Sequence, residues 1–160
     1  MKKSFLIVII LLTVLPNVYA KHKKKHPKNS IQSILVWRTP CFGRCPTYKI
    51  EVNKNGIVTY TGIMFIKDSG VYQKNIGVVK ATQIIKQFSD YKIDTCQDQY
   101  PMMIPDAPGL IFKIQYKDST KTINNAHYGP PFLKDLAKSV DSIGKVDNSW
   151  EKIAGKTTLH

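Results

Sequence analysis

Alternation of apolar and polar residues is the clearest signal along the chain. At 48–52, Tyr-Lys-Ile-Glu-Val places an apolar side chain at every second position, the period of a half-buried strand. Asn53-Lys54-Asn55-Gly56 then supplies residues that tolerate positive φ, and a β-branched run returns over 57–61, so the two segments predict a hairpin. A strand is expected earlier over 34–38, and the meander is expected to continue over 62–67 and 70–76, broken near Asp68-Ser69-Gly70. The period then changes. Over 80–92, Ala81, Ile84, Ile85, Phe88 and Tyr91 recur at helical spacing with lysine, glutamine and aspartate between them, which predicts a helix with one face on the sheet. Segments 110–116 and 120–124 predict a second hairpin around Lys117-Asp118-Ser119. Tyr128-Gly129-Pro130-Pro131 leads into a second helix, where proline suits the first turn. Phe132, Leu133, Leu136, Ala137, Val140 and Ile143 form its buried stripe, and Gly144 is its expected stop. Asn148-Ser149-Trp150-Glu151 has the form of a capping box and predicts one last short helix, with Trp150 packing back on the core. Strand runs separated by single helices give an α+β class: an antiparallel sheet of hairpins with two main helices on one face, in a single domain.

The first thirty residues do not join that pattern. Lys2 and Lys3, an apolar stretch over 5–15 and Val18-Tyr19-Ala20 have the form of a signal peptide over 1–20, cleaved after Ala20. Thr13 interrupts the apolar stretch and Pro16 stops it, short of the roughly 20 residues of a bilayer-spanning helix. The absence of a cysteine at the cleavage point argues against a lipid anchor. A periplasmic or secreted destination is therefore expected. Without Lys2 and Lys3 the chain holds 22 Lys and Arg against 11 Asp and Glu, a net of +11. Lys21, Lys23, Lys24, Lys25 and Lys28 carry five of those charges in the polar run 21–30, so 31–160 holds 17 minus 11, or +6. The run has too little apolar surface to offset ordering and reads as a disordered basic arm. Its plain reading is a solvated spacer. Its functional reading is attraction to an anionic envelope polymer or lipid surface, with no specific nucleic acid. His22 and His26 stand among ammonium groups that repel a metal cation. One domain over 31–153, with a tail over 154–160, fits the remainder, and a monomer is expected.

The most constrained stretch is Arg38-Thr39-Pro40-Cys41-Phe42-Gly43-Arg44-Cys45-Pro46-Thr47-Tyr48, a loop between two strands in a chain bound for an oxidising compartment. Cys41 and Cys45 lie four apart with a glycine between them, and a tight turn brings such Cα atoms within disulfide reach. Pairing Cys45 with Cys96 would close a longer loop, but local geometry favours Cys41 with Cys45 and leaves Cys96 free and buried. Pro40 and Pro46 restrict the backbone on both sides, as suits a rigid clasp.

Three chemistries compete for this turn. The first is a structural staple on a non-enzymatic binding module. The second is a thiol-disulfide oxidoreductase in which Cys41 attacks and Cys45 resolves beside Arg44, although dithiol catalysts separate their cysteines by two residues at a helix start. The third is zinc on Cys41, Cys45, Cys96 and His127, whose spacing matches no familiar motif. No metal and no cofactor are expected, and His127 reads more simply as a loop residue whose ring hydrogen-bonds the turn before the second helix. Glu51 and Glu151 are the only glutamates, and no nucleophile elbow, phosphate-cradling loop or His-Glu-x-x-His motif occurs. The proline-bearing segment 94–109 lacks periodicity and reads as a long ordered loop. Its Asp98, Tyr100 and Asp106, with His127, are candidates to line a cleft.

The chain resembles a bacterial family of exported domains of unknown function on Thr39-Pro40-Cys41-Phe42-Gly43-Arg44-Cys45-Pro46-Thr47-Tyr48 and on Gly56-Ile57-Val58-Thr59-Tyr60-Thr61-Gly62. Further similarity lies at Asp106-Ala107-Pro108 and His127-Tyr128-Gly129-Pro130-Pro131, so the resemblance covers roughly residues 33 to 145. It supports the fold and the export reading and supplies no catalytic residues. The expectation is an exported binding or envelope-associated module, with the oxidoreductase as the alternative.

Overall fold

The computed structural model describes residues 30–154. The predicted signal segment, the arm with Lys21, Lys23, Lys24, Lys25 and Lys28, and the tail beyond Ala154 lie outside the described residues. Inward-facing apolar side chains organise the rest. In chain order the elements are β1 (Ile31–Arg38), β2 (Thr47–Asn53), β3 (Ile57–Met64), β4 (Gly70–Asn75), α1 (Val78–Asp90), β5 (Leu110–Tyr116), β6 (Thr120–Ile123), α2 (Pro131–Ile143) and β7 (Glu151–Ala154). The strands form one antiparallel sheet in the order β6-β5-β1-β2-β3-β4-β7.

Register carries the core across the sheet. Ile123, Phe112, Val36, Ile50, Tyr60 and Tyr72 are successive partners in one row over six strands. Ile114, Ile34, Val52 and Val58 lie on the same face. Ala81, Ile84 and Phe88 of α1 and Leu133, Leu136, Ala137 and Val140 of α2 cover that face and share its core. The Phe88 ring meets Phe112 edge-on at 5.7 Å. Both helices thus lie on one side, and the domain is a single α+β unit. The opposite face carries Leu35, Trp37, Lys49, Glu51, Thr59 and Thr61, half exposed, with the Lys49 ammonium 4.7 Å over the Trp37 ring. This two-sided arrangement accounts for the alternation at 48–52. Gly56, at φ 90, makes the turn between β2 and β3.

Several boundaries differ from the sequence reading. β1 begins at Ile31 rather than at 34, because a register shift between Ile31 and Ser33 lets the strand continue through polar Gln32 and Ser33. β3 runs unbroken to Met64, so 62–67 is no separate strand. α1 starts at Val78, after Gly77 at φ 80 donates its N–H to the Asn75 side chain, and it ends at Asp90, before Lys92 turns left-handed at φ 50. The last element is a strand and not a helix. Asp147 accepts the backbone N–H of Ser149 at 2.8 Å and its hydroxyl too, which closes an Asx turn instead of opening a helix. The chain then pairs as β7 on the otherwise open edge of β4. Trp150 is buried as expected, edge-on to Tyr60 at 6.3 Å.

Candidate functional site

Register also decides where the cysteine turn meets the long loop. Arg38 pairs with Tyr48 on one side and Leu110 on the other, so the β1–β2 loop and the chain entering β5 leave the sheet side by side. The turn is closed by a Cys41–Cys45 disulfide with Cα atoms 5.7 Å apart. Thr39 locks it to the long loop: its N–H donates to the Gly109 carbonyl at 3.1 Å, and its Oγ1 accepts the Gly109 N–H at 2.8 Å. A Cβ on Gly109 would lie 2.5 Å from that Oγ1, so the pairing requires glycine. Phe42 N–H reaches the Asp106 carbonyl at 3.4 Å, and the buried Thr47 hydroxyl donates to the Cys45 carbonyl at 3.2 Å. Between clasp and loop lies an open hollow of about 400 Å³, bounded by Pro40, Cys41, Phe42, Met102, Asp106 and Asn125.

Behind the clasp sits a polar network that was not anticipated. The Arg38 guanidinium donates to Asp141 Oδ2 at 2.6 Å, and the Tyr48 hydroxyl donates to Asp141 Oδ1 at 3.0 Å. Burial, followed by the Asp141 carboxylate, pushes the Tyr48 phenol up to about 12. Tyr60, stacked on Tyr48 at 5.8 Å, is raised as well, by burial and then by Asp68. Both phenols stay protonated at neutral pH and act as donors and packing surfaces. A smaller hollow of about 230 Å³, lined by Arg38, Cys45, Pro46, Tyr48 and Pro108, opens above this network. The available signal was that Arg38 and Tyr48 take inward positions in strands where apolar residues belong. Their partner, 103 and 93 residues further along, has no local mark.

The four candidate cleft residues take different places. Asp106, at φ 57, lines the hollow beside the clasp. Asp98 pairs with Lys121 at 2.5 Å, and its carbonyl accepts Asn124 N–H at 2.8 Å. Tyr100 is buried against Gly129, and its carbonyl accepts the Asn125 side-chain amide at 3.1 Å. His127 departs from its expected role. Both ring nitrogens are buried without a hydrogen-bond partner, and the ring rests on Tyr128 at 3.9 Å. Backbone bonds hold the turn instead, from Tyr128 N–H to Asn125 and from Gly129 N–H to Ala126. Burial, then the charges of Lys134 and Arg38, lower the His127 pKa, so its ring is neutral at pH 7.

Cys96 is free but only half-buried, not enclosed. Burial raises its thiol pKa against the opposing pull of Tyr100 and Lys121, so little of it is thiolate at neutral pH. With Cys41 and Cys45 joined in a disulfide, two of the four groups in the Cys41, Cys45, Cys96 and His127 set cannot serve as thiolate ligands. Among the described residues, no three His, Cys, Asp or Glu side chains are gathered as a metal site, and no helix is long and apolar enough to cross a membrane.

No curated protein matches this chain in sequence. A family model matches residues 32–144, a span that includes the clasp, the long loop, the Arg38–Asp141–Tyr48 network and both helices. The chain belongs to the family described as Domain of unknown function (DUF6438).

Proposed function

We propose that this protein is an exported, non-enzymatic binding or envelope-associated module, periplasmic or secreted, in which the Cys41–Cys45 clasp is a structural staple. The observation that carries this reading is the two-way lock of Thr39 on Gly109, which makes the clasp one part of a fixed surface shared with the long loop. The basic arm adds attraction to anionic polymer or lipid, which weakens as salt rises.

The test is intact mass of the exported protein with and without reduction, non-reducing peptide mapping, and titration of the disulfide against glutathione. A Cys41–Cys45 bridge with a potential below about −300 mV is the expected result. A readily reduced bridge that exchanges with mixed disulfides would make the protein a thiol-disulfide oxidoreductase instead. Mass spectrometry also locates the mature N-terminus, expected at Lys21.

A further inference from the structure

Residues Leu110, Arg38, Tyr48, Gly62 and Gly70 are successive partners in one row across β5, β1, β2, β3 and β4. Three segments therefore leave the sheet at the same end: the clasp, the β3–β4 loop, and the long loop entering β5. Strand spacing sets the clasp and the β3–β4 loop about 10 Å apart. Nine large apolar side chains among the described residues are exposed, and five belong to this end: Phe42 (90 %), Phe65 (53 %), Met102, Met103 and Ile104. That clustering separates them from scattered surface residues, which need no explanation.

Phe42 and the 102–104 segment are tied to their surroundings. Phe42 rides on the disulfide-closed turn, tied to Asp106. Ile104 donates its N–H to the Tyr128 hydroxyl at 3.1 Å. Phe65 is at φ 53, a left-handed conformation that a bulky side chain rarely adopts, so its backbone is strained while its ring faces solvent. Each aromatic is also followed two positions later by a cation, Phe42 by Arg44 and Phe65 by Lys67. The acidic residues of these loops are Asp68, Asp94, Asp98 and Asp106, of which Asp98 is paired with Lys121.

Resting on the reading of the clasp end as a binding surface, we infer that this end is a bilayer-docking tip for anionic membrane. Phe42, Phe65 and the 102–104 segment enter the interfacial region, while Arg44 and Lys67 meet lipid phosphate. Separate convex tips around a hollow suit a deformable lipid interface better than the continuous flat patch of a standard protein interface. Long cationic side chains beside an apolar tip can keep their charge at the head groups. The +6 balance over 31–160 complements an anionic leaflet. A turn already closed by a disulfide also loses less freedom on docking than an open loop.

The test is flotation of the exported protein with vesicles of phosphatidylcholine containing phosphatidylglycerol, and with phosphatidylcholine alone. Binding to the anionic vesicles is expected. It should fall at least tenfold in a Phe42→Ser, Phe65→Asn variant, which removes both rings and gives position 65 a residue that tolerates its left-handed backbone. Phe42→Trp should retain binding, with its emission moving to the blue on vesicle addition. Absence of vesicle binding, or an unmoved Phe42→Trp emission, overturns the inference. So does binding that survives the double variant and disappears on deletion of 21–30, since the arm alone would then hold the lipid and the module reading would stand. Self-association of the intact protein that the double variant abolishes assigns the tips to a second copy and overturns it too. The glutathione titration reads the module proposal separately.

Discussion

The clasp gives a stability effect whose size follows from its position in the chain. Cys41 and Cys45 close a loop of about five residues, and the chain-entropy relation assigns such a loop about 2 kcal/mol at 25 °C. The Cys45–Cys96 pairing considered from sequence would instead give about 4 kcal/mol. Over a described domain of roughly 124 residues, an unfolding entropy of about 2.1 cal/mol/K per residue turns 2 kcal/mol into a drop of about 8 °C in Tm. The perturbation is Cys41→Ser with Cys45→Ser in a Cys96→Ser background, so that no thiol remains to exchange. The native partners of Thr39, Phe42 and Thr47 are backbone groups or lie outside the bridge, so the turn should loosen while the sheet survives. In calorimetric melts the double variant and the reduced Cys96→Ser protein should agree with one another, and both should melt about 8 °C below the unreduced Cys96→Ser protein. A melting point that does not move would show that the bridge constrains nothing the turn does not already hold. Collapse of the whole fold would show that the clasp is a core element, and either result refutes the loop-entropy reasoning.

Asp141→Ala should destabilise by about 1.5–3 kcal/mol in urea unfolding, because the Arg38 guanidinium and Tyr48 hydroxyl lose their shared charged partner in a partly buried place. Tyr48 also sets an alkaline limit: its folded pKa of about 12 lies above the ordinary 10.0, so its contribution is complete below pH 10 and is lost between pH 10 and 12. In alkaline melts, Tyr48→Phe should flatten that decline. His127 behaves oppositely, since its folded pKa is lowered from 6.5: the unfolded chain binds the extra proton, and stability falls as pH drops below 6.5. His127→Gln should remove that acid-side slope in urea midpoints measured across the window. Gly109→Ala should cost about 1–3 kcal/mol, because the new methyl would meet Thr39 Oγ1 at 2.5 Å, and hydrogen exchange should quicken at residues 39 and 109.

Local rules made most of the sheet legible. Alternation at 48–52 and helical spacing at Ala81, Ile84 and Phe88 both report which side of an element meets the core, and that is decided within a few residues. The Cys41–Cys45 bridge was readable for the same reason. Elements defined by distant partners were not. Asp147 and Ser149 can serve an Asx turn as readily as a helix cap, and the choice fell to the turn where β4 offered an unpaired edge to Glu151–Ala154. The Arg38–Asp141–Tyr48 network needed α2 docked on the sheet before its members met. Asp98, Tyr100, Asp106 and His127 share polarity and loop positions, but each loop residue answers to its own neighbour: Lys121, Gly129, the clasp and Tyr128 respectively.

Loop length carries a further step. The β2–β3 and β5–β6 connections are short hairpin loops of three residues each, over 54–56 and 117–119, and both lie at one end of the sheet. At the other end the β1–β2 connection takes eight residues over 39–46, although Arg38 and Tyr48 are direct partners that a much shorter turn could join. Ordering each additional residue costs roughly 1–2 kcal/mol of backbone entropy, against about 2 kcal/mol returned by a bridge this short. The disulfide therefore fixes the shape of the extension without recovering what its length costs in stability. Stability alone would favour the short turn. If the proposed binding role holds, the exposed extension held rigid, locked to a second long loop and carrying Phe42 outward puts the working end of the domain at the clasp rather than at the tight turns opposite.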